Sequence, residues 1–303
     1  IEKLAEHDIF AKLSRLAPEI PYEQGVSTVL DSLAPLGADY VQIARRGLTE
    51  ERWAHVFPSP GKYSNAFSTG AFGTRPFLLL NYAPTMPEVG TLAHELGHSM
   101  HSYFTNRTQP MCYSSYSMTV AETASNLNQV LLRAHVLKTA DREMSLAVLD
   151  EAFYYAHRYL FMMPVLSRVE HVMHSTYARG GAWAASDICK ATVTAFSAAY
   201  GDSVSFDPER LGVKWGQFCH FYEPYYFFQY AVGISAAMSI GERILAGEPG
   251  LTERYRQFLS VGASMHPQDI FKIVGVDIAS KDTYRAAFKV VDGYLQKLEE
   301  LSL

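Results

Sequence analysis

Thr91-Leu92-Ala93-His94-Glu95-Leu96-Gly97-His98-Ser99-Met100-His101 is the stretch on which the reading of this chain turns. In a helix, positions four apart lie on one face, about 6 Å apart along the axis, so the imidazoles of His94 and His98 can reach one metal ion from the same side. Glu95 falls roughly 100° around the helix from His94, near enough to reach a water at that metal and too far round to be a good ligand. Its natural role is general base. Thr85 and Glu88, with Pro87 between them, have capping-box spacing, so the helix is predicted to begin near Met86. A bare HExxH is short enough to arise by chance, and the surrounding residues have to decide.

Catalytic zinc usually has three protein ligands and one water, so a third ligand must be found. The metzincin arrangement requires glycine three residues after the second histidine and histidine at six; His101 and Phe104 occupy those places, which excludes that class. No aspartate or glutamate occurs between Leu96 and Ala121, and the first acid is Glu122 in Val-Ala-Glu-Thr-Ala-Ser. A carboxylate on an apolar helix face is costly unless paired or metal-bound, which makes Glu122 the leading candidate. Thr119 and Glu122 also have capping-box form, so a helix start is the competing reading. His101 shares the face of His94 but lies ~10 Å along the axis from it. It is read as a substrate or ligand-supporting contact, or equally as a packed polar residue. Ser125 and Asn126, three and four residues after Glu122, are candidates to orient a ligand histidine through its free ring nitrogen.

The rest of the chain sets the frame. Its 303 residues allow one large domain or two ordinary ones, and 48% hydrophobic with 19% charged residues excludes extended disorder. A net charge of −5 with scattered basic residues argues against nucleic acid as a partner. Cys112, Cys189 and Cys219 are odd in number and far apart, which fits a reducing compartment and a cytoplasmic location. Pro224 to Gly241 carries no charge, yet Gln229, Gly233, Ser235 and Ser239, with tyrosines that need partners, make it a buried helix rather than a membrane span. Short amphipathic helices are expected up to about residue 47, a small sheet or hairpin including Phe77 to Asn81, and helices near 118–138, 142–178, 183–200, 208–219, 224–247, 249–260 and 281–300. The chain opens at Ile1 in what reads as the middle of a polar-faced helix, so it is expected to be a fragment of a longer one. Residues 1–50 are then remnant helices of an upstream region and 51–303 the catalytic domain.

The run at 91–101, followed by Val120-Ala-Glu-Thr-Ala-Ser125, resembles the oligoendopeptidase F and thimet oligopeptidase family of zinc peptidases. Further similarity lies in Gly61-Lys-Tyr-Ser-Asn-Ala-Phe-Ser68, Arg75-Pro-Phe-Leu-Leu-Leu-Asn-Tyr82, His220-Phe-Tyr222 and Pro224-Tyr-Tyr-Phe-Phe-Gln-Tyr-Ala231. Together these span roughly residues 40 to 275. The resemblance implies a mainly α, zincin-type (gluzincin) catalytic domain with a small β-sheet edge before the zinc helix. It implies one Zn2+ ion held by His94, His98 and Glu122, with Glu95 as base. His220, Tyr226 and Tyr230 match the residues facing the scissile bond, with Tyr225 the alternate tyrosine. The strand near Phe77 to Tyr82, with Phe77 and Leu79, would be the edge along which a short extended peptide lies.

The expected activity is zinc-dependent hydrolysis of internal bonds of short oligopeptides. A metallocarboxypeptidase is a second reading, although no arginine is clearly placed for a terminal carboxylate. A non-catalytic peptide-binding fragment is a third, disfavoured by the presence of Glu95. Eight of the 13 residues from Phe218 to Tyr230 are aromatic, and Phe218, Phe221, Phe227 and Phe228 are expected in the core. Glu170, His171 and His174 are expected to be packing or solvated residues. His7, His55, His135, His157 and His266 carry no spacing signal.

Overall fold

The structure, a computed structural model, describes residues 3–13 and 18–302. In chain order these form β1 (Leu4–Ala5), α1 (Tyr22–Ser32), α2 (Ala38–Thr49), β2 (Ala54–His55), β3 (Phe67–Thr69), β4 (Phe77–Leu79), α3 (Met86–Thr108) and α4 (Met118–Val136). There follow α5 (Arg142–Ala156), α6 (Met163–Ala178), α7 (Ala185–Tyr200), β5 (Val204–Ser205), α8 (Pro208–Gly212), α9 (Phe227–Leu245), α10 (Leu251–Ser260), α11 (Pro267–Ile273) and α12 (Lys281–Ser302). The fold is mainly helical, as expected. The chain divides into two compact units, Leu13–Phe153 with Val232–Leu303, and Ile1–Lys12 with Tyr154–Ala231. Two of the three divisions fall within α5 and α9, and the third lies between Lys12 and Leu13.

The larger unit has one hydrophobic core. On α3, Val89, Leu92, Ala93, Leu96 and Met100 recur at helical spacing and are buried; on α4, Val120, Ala124, Leu127 and Leu131 do the same. These stripes pack α3 and α4 along their length. Val29, Leu30 and Leu33 from α1 and its end, and Tyr40 and Ala44 from α2, enter the same core. The sheet has the order β2-β4-β3, with β2 parallel and β3 antiparallel to β4. β4 is therefore its central strand. This corrects the expectation that Phe77 to Tyr82 forms a sheet edge: β4 already pairs on both sides, and the free edges of this sheet are β2 and β3.

In the smaller unit α6 packs on α7 and α7 on α8, and β1 pairs in parallel with β5 through Leu4–Val204 and Ala5–Ser205. The helix expected at the chain start is thus replaced, from Lys3 on, by a bridge strand and a 3₁₀ turn at Glu6–Phe10; Ile1 and Glu2 lie outside the described residues. Its partner is 200 residues away, which local periodicity does not reveal. The helix expected over 142–178 is interrupted by a π-helical stretch at His157–Met162. Pro164 lacks the N–H that would bond back one turn, and its ring crowds the carbonyl of Leu160, so the ladder reorganises just before it. The segment 208–219 reduces to α8 and 3₁₀ turns, and α11 was not anticipated. Among the described residues no helix is long and apolar enough to cross a membrane.

Candidate metal centre

α3 starts at Met86 with Thr85 as its N-cap, but the capping box does not form: Glu88 and Val89 N–H groups donate to the Thr85 carbonyl and the side chain makes no cap bond. The helix places His94 and His98 one turn apart, their Nε2 atoms 3.2 Å from each other. Glu122 arrives from α4. That helix begins at Met118 with Ser117 as N-cap, so Thr119 is already inside it and the capping reading of Thr119 and Glu122 is set aside. Glu122 Oε2 lies 3.5 Å from His94 Nε2 and 4.0 Å from His98 Nε2, with the carboxylate almost fully buried.

Glycine makes this approach possible. A Cβ on Gly97 would stand 2.5 Å from the Ala124 carbonyl oxygen and 2.6 Å from Ser125 Cα, closer than real side chains come to backbone. A Cβ on Gly233 of α9 would meet Glu122 Cβ at 2.5 Å. In the sequence Gly233 counts only toward a buried helix rather than a membrane span, and its close approach to Glu122 has no signal beyond small-residue spacing in an uncharged helix.

Each polar side chain is held by a neighbour. Ser125 Oγ donates to Glu122 Oε2 at 3.1 Å, and Asn126 Nδ2 donates to the Glu122 carbonyl at 2.6 Å. Asn126 Nδ2 also reaches Glu122 Oε2 at 3.4 Å, so both residues hold Glu122 rather than a histidine, which corrects their expected role. The histidine is held by Gln129, whose Oε1 lies 2.9 Å from His94 Nδ1. Sequence reasoning missed Gln129, which sits two turns beyond Glu122 on the same face. Burial pushes the Glu95 carboxyl up to about 7; His94 draws it down, Glu122 pushes it up and the Ser68 backbone N–H draws it down. Burial also raises the Glu122 carboxyl, opposed by His94 and Ser125, and lowers His98 well below its usual range, with His94 and His101 adding to the effect. His101 is fully buried, its ring stacked 3.6 Å from Tyr116.

His94, His98 and Glu122 each offer one ligand atom, all within 4.8 Å of one another. Donors around a tetrahedral zinc ion, at bonds of ~2.0–2.2 Å, stand about 3.4 Å apart. The separations of 3.2, 3.5 and 4.0 Å match that spacing, and the donor set of two imidazoles and a carboxylate suits a divalent cation. The residues fit the group.

His220, Tyr225, Tyr226 and Tyr230 lie in the smaller unit. His220 stacks on Tyr226 with centroids 4.7 Å apart, and its Nε2 lies 3.4 Å from the Tyr230 hydroxyl. Tyr230 stacks on Tyr159 at 4.9 Å. Tyr225 instead packs on His174 at 5.1 Å, in a left-handed conformation with φ of 59°, its N–H donating to the buried Glu170. Burial lowers His220, with Glu223 opposing and Arg158 reinforcing. Phe227 is buried, whereas Phe228, expected in the core, is 41% exposed. Phe77 is exposed and Leu79 half-buried on β4.

An HExxH helix clasped by a glutamate from the following helix forms a candidate metal centre of two histidines and one carboxylate in a mainly helical fold. The model of Peptidase family M3 matches residues 2–290, and the chain belongs to that family. It is 34% identical over 303 residues to Oligopeptidase PepF of Bacillus subtilis, covering 99% of this chain and 45% of that protein. The chromosomal Oligoendopeptidase F of Lactococcus lactis subsp. cremoris is 33% identical over 296 residues, covering 97% of this chain and 49% of its own length. The crystal structure of oligoendopeptidase-F from Enterococcus faecium superposes with a TM-score of 0.71 at 27% identity, over 99% of this chain and 47% of that one. The chain spans about half the length of these relatives.

Proposed function

We propose that this chain is the catalytic region of a zinc-dependent oligoendopeptidase that hydrolyses internal bonds of short peptides. The carrying observation is the convergence of His94, His98 and Glu122 on one point with the buried Glu95 beside it. We assign catalysis to residues 51–303, with α1 and α2 contributing to the core on which α3 and α4 pack. The cysteines, all free thiols, support a reducing, cytoplasmic compartment.

The three ligands would hold the ion through His94 Nε2, His98 Nε2 and a Glu122 oxygen. Bound there, zinc supplies Lewis-acid polarisation of the scissile carbonyl and acidification of a water. Glu95 takes the proton of the attacking water and passes it to the leaving amine. His220, Tyr226 and Tyr230 are assigned as donors to the developing oxyanion, each worth about 3–4 kcal/mol in the transition state. The peptide is assigned to the outer edge of β3, where Ser68 adjoins Glu95 and main-chain pairing would orient the scissile bond.

The test is cleavage of an internally quenched peptide of about ten residues, with and without a chelator, by the wild type and Glu95→Gln. Internal cleavage lost with the chelator and in the variant supports the assignment. Unchanged cleavage by Glu95→Gln sinks the mechanism, release of single C-terminal residues selects a carboxypeptidase, and binding without cleavage in the wild type selects a peptide-binding fragment.

A further inference from the structure

His94 has two ring nitrogens with different tasks, and the one that keeps its proton decides whether the ring can ligate a cation. Nδ1 faces Gln129 Oε1 at 2.9 Å, while Nε2 faces Glu122 and His98. An amide can turn either its oxygen or its NH2 toward a neighbour with almost no change in shape, so Gln129 alone does not determine the proton. The next group does. Gln129 Nε2 donates to Glu151 Oε1 at 2.8 Å, and a carboxylate has only acceptors to offer. Glu151 is gripped by Arg133, Nε to Oε2 at 2.5 Å and Nη2 to Oε1 at 2.9 Å. Gln129 and Arg133 are fully buried and Glu151 is 3% exposed, so no water competes for these atoms from bulk solvent. A Cβ on Gly90, one turn before His94, would stand 2.5 Å from Glu151 Oε1; glycine there clears the space the carboxylate occupies.

We propose that Arg133, Glu151 and Gln129 form a buried tautomer lock, which keeps the His94 proton on Nδ1 and leaves the Nε2 lone pair available to a divalent cation. The inference rests on the assignment of His94 as a metal ligand. None of the three touches the ion or a substrate, so they are positioning residues. Stability alone gives little reason for the arrangement, because well-packed apolar residues of similar volume often replace a buried ion pair without loss. Orientation gives one. With Glu151 fixed as an acceptor, Gln129 must present NH2 to it and oxygen to His94, and His94 must present N–H to Gln129.

The test reads the ring ¹⁵N shifts of His94 in the metal-free protein, together with zinc affinity by competition against a chromophoric chelator. The wild type is expected to carry the proton on Nδ1. Gln129→Met removes the acceptor; the Nε2–H form should gain population and zinc affinity should fall roughly 10–100-fold. The double substitution Arg133→Met with Glu151→Leu removes the ion pair without stranding one charge, frees Gln129 to turn, and should shift both readouts the same way. Exchanging the amide and the acid, Gln129→Glu with Glu151→Gln, returns an acceptor to Nδ1 and should restore both. An Nε2–H tautomer in the wild type, or a folded Gln129→Met protein with tautomer and affinity unchanged, overturns the lock. A wild type with the Nδ1–H tautomer and no zinc affinity would leave the lock standing and overturn the metal assignment.

Discussion

The ligand set on α3 and α4 is held by hydrogen bonds from amide, hydroxyl and backbone groups, whereas the aromatic set of residues 218–230 is held largely by ring packing, including Tyr230 on Tyr159. His94 leans on Gln129, Glu122 on Ser125 and Asn126, and Glu95 on the Ser68 backbone. His220 stacks on Tyr226 and meets Tyr230. The first set is buried in a helix pair whose spacing glycines enforce. The second sits on 3₁₀ turns and the first turn of α9, beside the strained Tyr225. A cation site taken out of water needs fixed partners, because an unpaired buried charge is costly. The hydroxyl and imidazole groups proposed as donors to a charge that exists only in the transition state can sit on a half-exposed segment and be ordered mainly by ring packing.

Substitutions should separate the two regions. Glu95→Gln should lower kcat by about 10²–10⁴ with zinc retained, measured by single-turnover cleavage. His220→Ala, Tyr226→Phe and Tyr230→Phe should each lower kcat by roughly 10²–10³ with zinc content unchanged; loss of zinc in any of them would break the division between the regions. Gly97→Ala should act on the metal side alone. It forces α3 from α4, costing about 1–3 kcal/mol in denaturant unfolding and weakening zinc binding.

The smallest effect concerns Glu170, which anchors the Tyr225 backbone. Burial raises its carboxyl above the ordinary value of 4.5, with the Tyr225 N–H and His174 opposing. Between 4.5 and that raised value the folded protein binds the proton that the unfolded chain has released. Stability from this group is therefore largest at low pH and declines as pH rises through the window. Glu170→Gln should remove that slope from the pH dependence of Tm; an unchanged slope would show that Glu170 does not titrate there.

Much of the metal side was legible because it is written in helical period: His94 and His98 one turn apart, and Glu122 alone as an acid after a long uncharged run. Gln129, Glu151 and Arg133 were not, since a glutamine in an apolar helix and an ion pair between two helices have no spacing signature. Ser125 and Asn126 were found for the right face and given the wrong partner, because spacing shows proximity to Glu122 and not what each side chain bonds. The sheet was placed near Phe77, but strand order depends on β2 and β3, too short to carry a period. In the aromatic segment, composition alone marked the region. Separating Tyr225 from Tyr226 required the left-handed turn that sends the former to His174.

The claim at the centre of this account is that His94, His98 and Glu122 hold one ion that Glu95 does not. Metal content after dialysis, by elemental analysis of wild type, Glu122→Ala and Glu95→Gln, tests it most directly. About one zinc per chain in the wild type and in Glu95→Gln, and a small fraction of that in Glu122→Ala, is the expected result. Full zinc in folded Glu122→Ala, or its loss in folded Glu95→Gln, would contradict it.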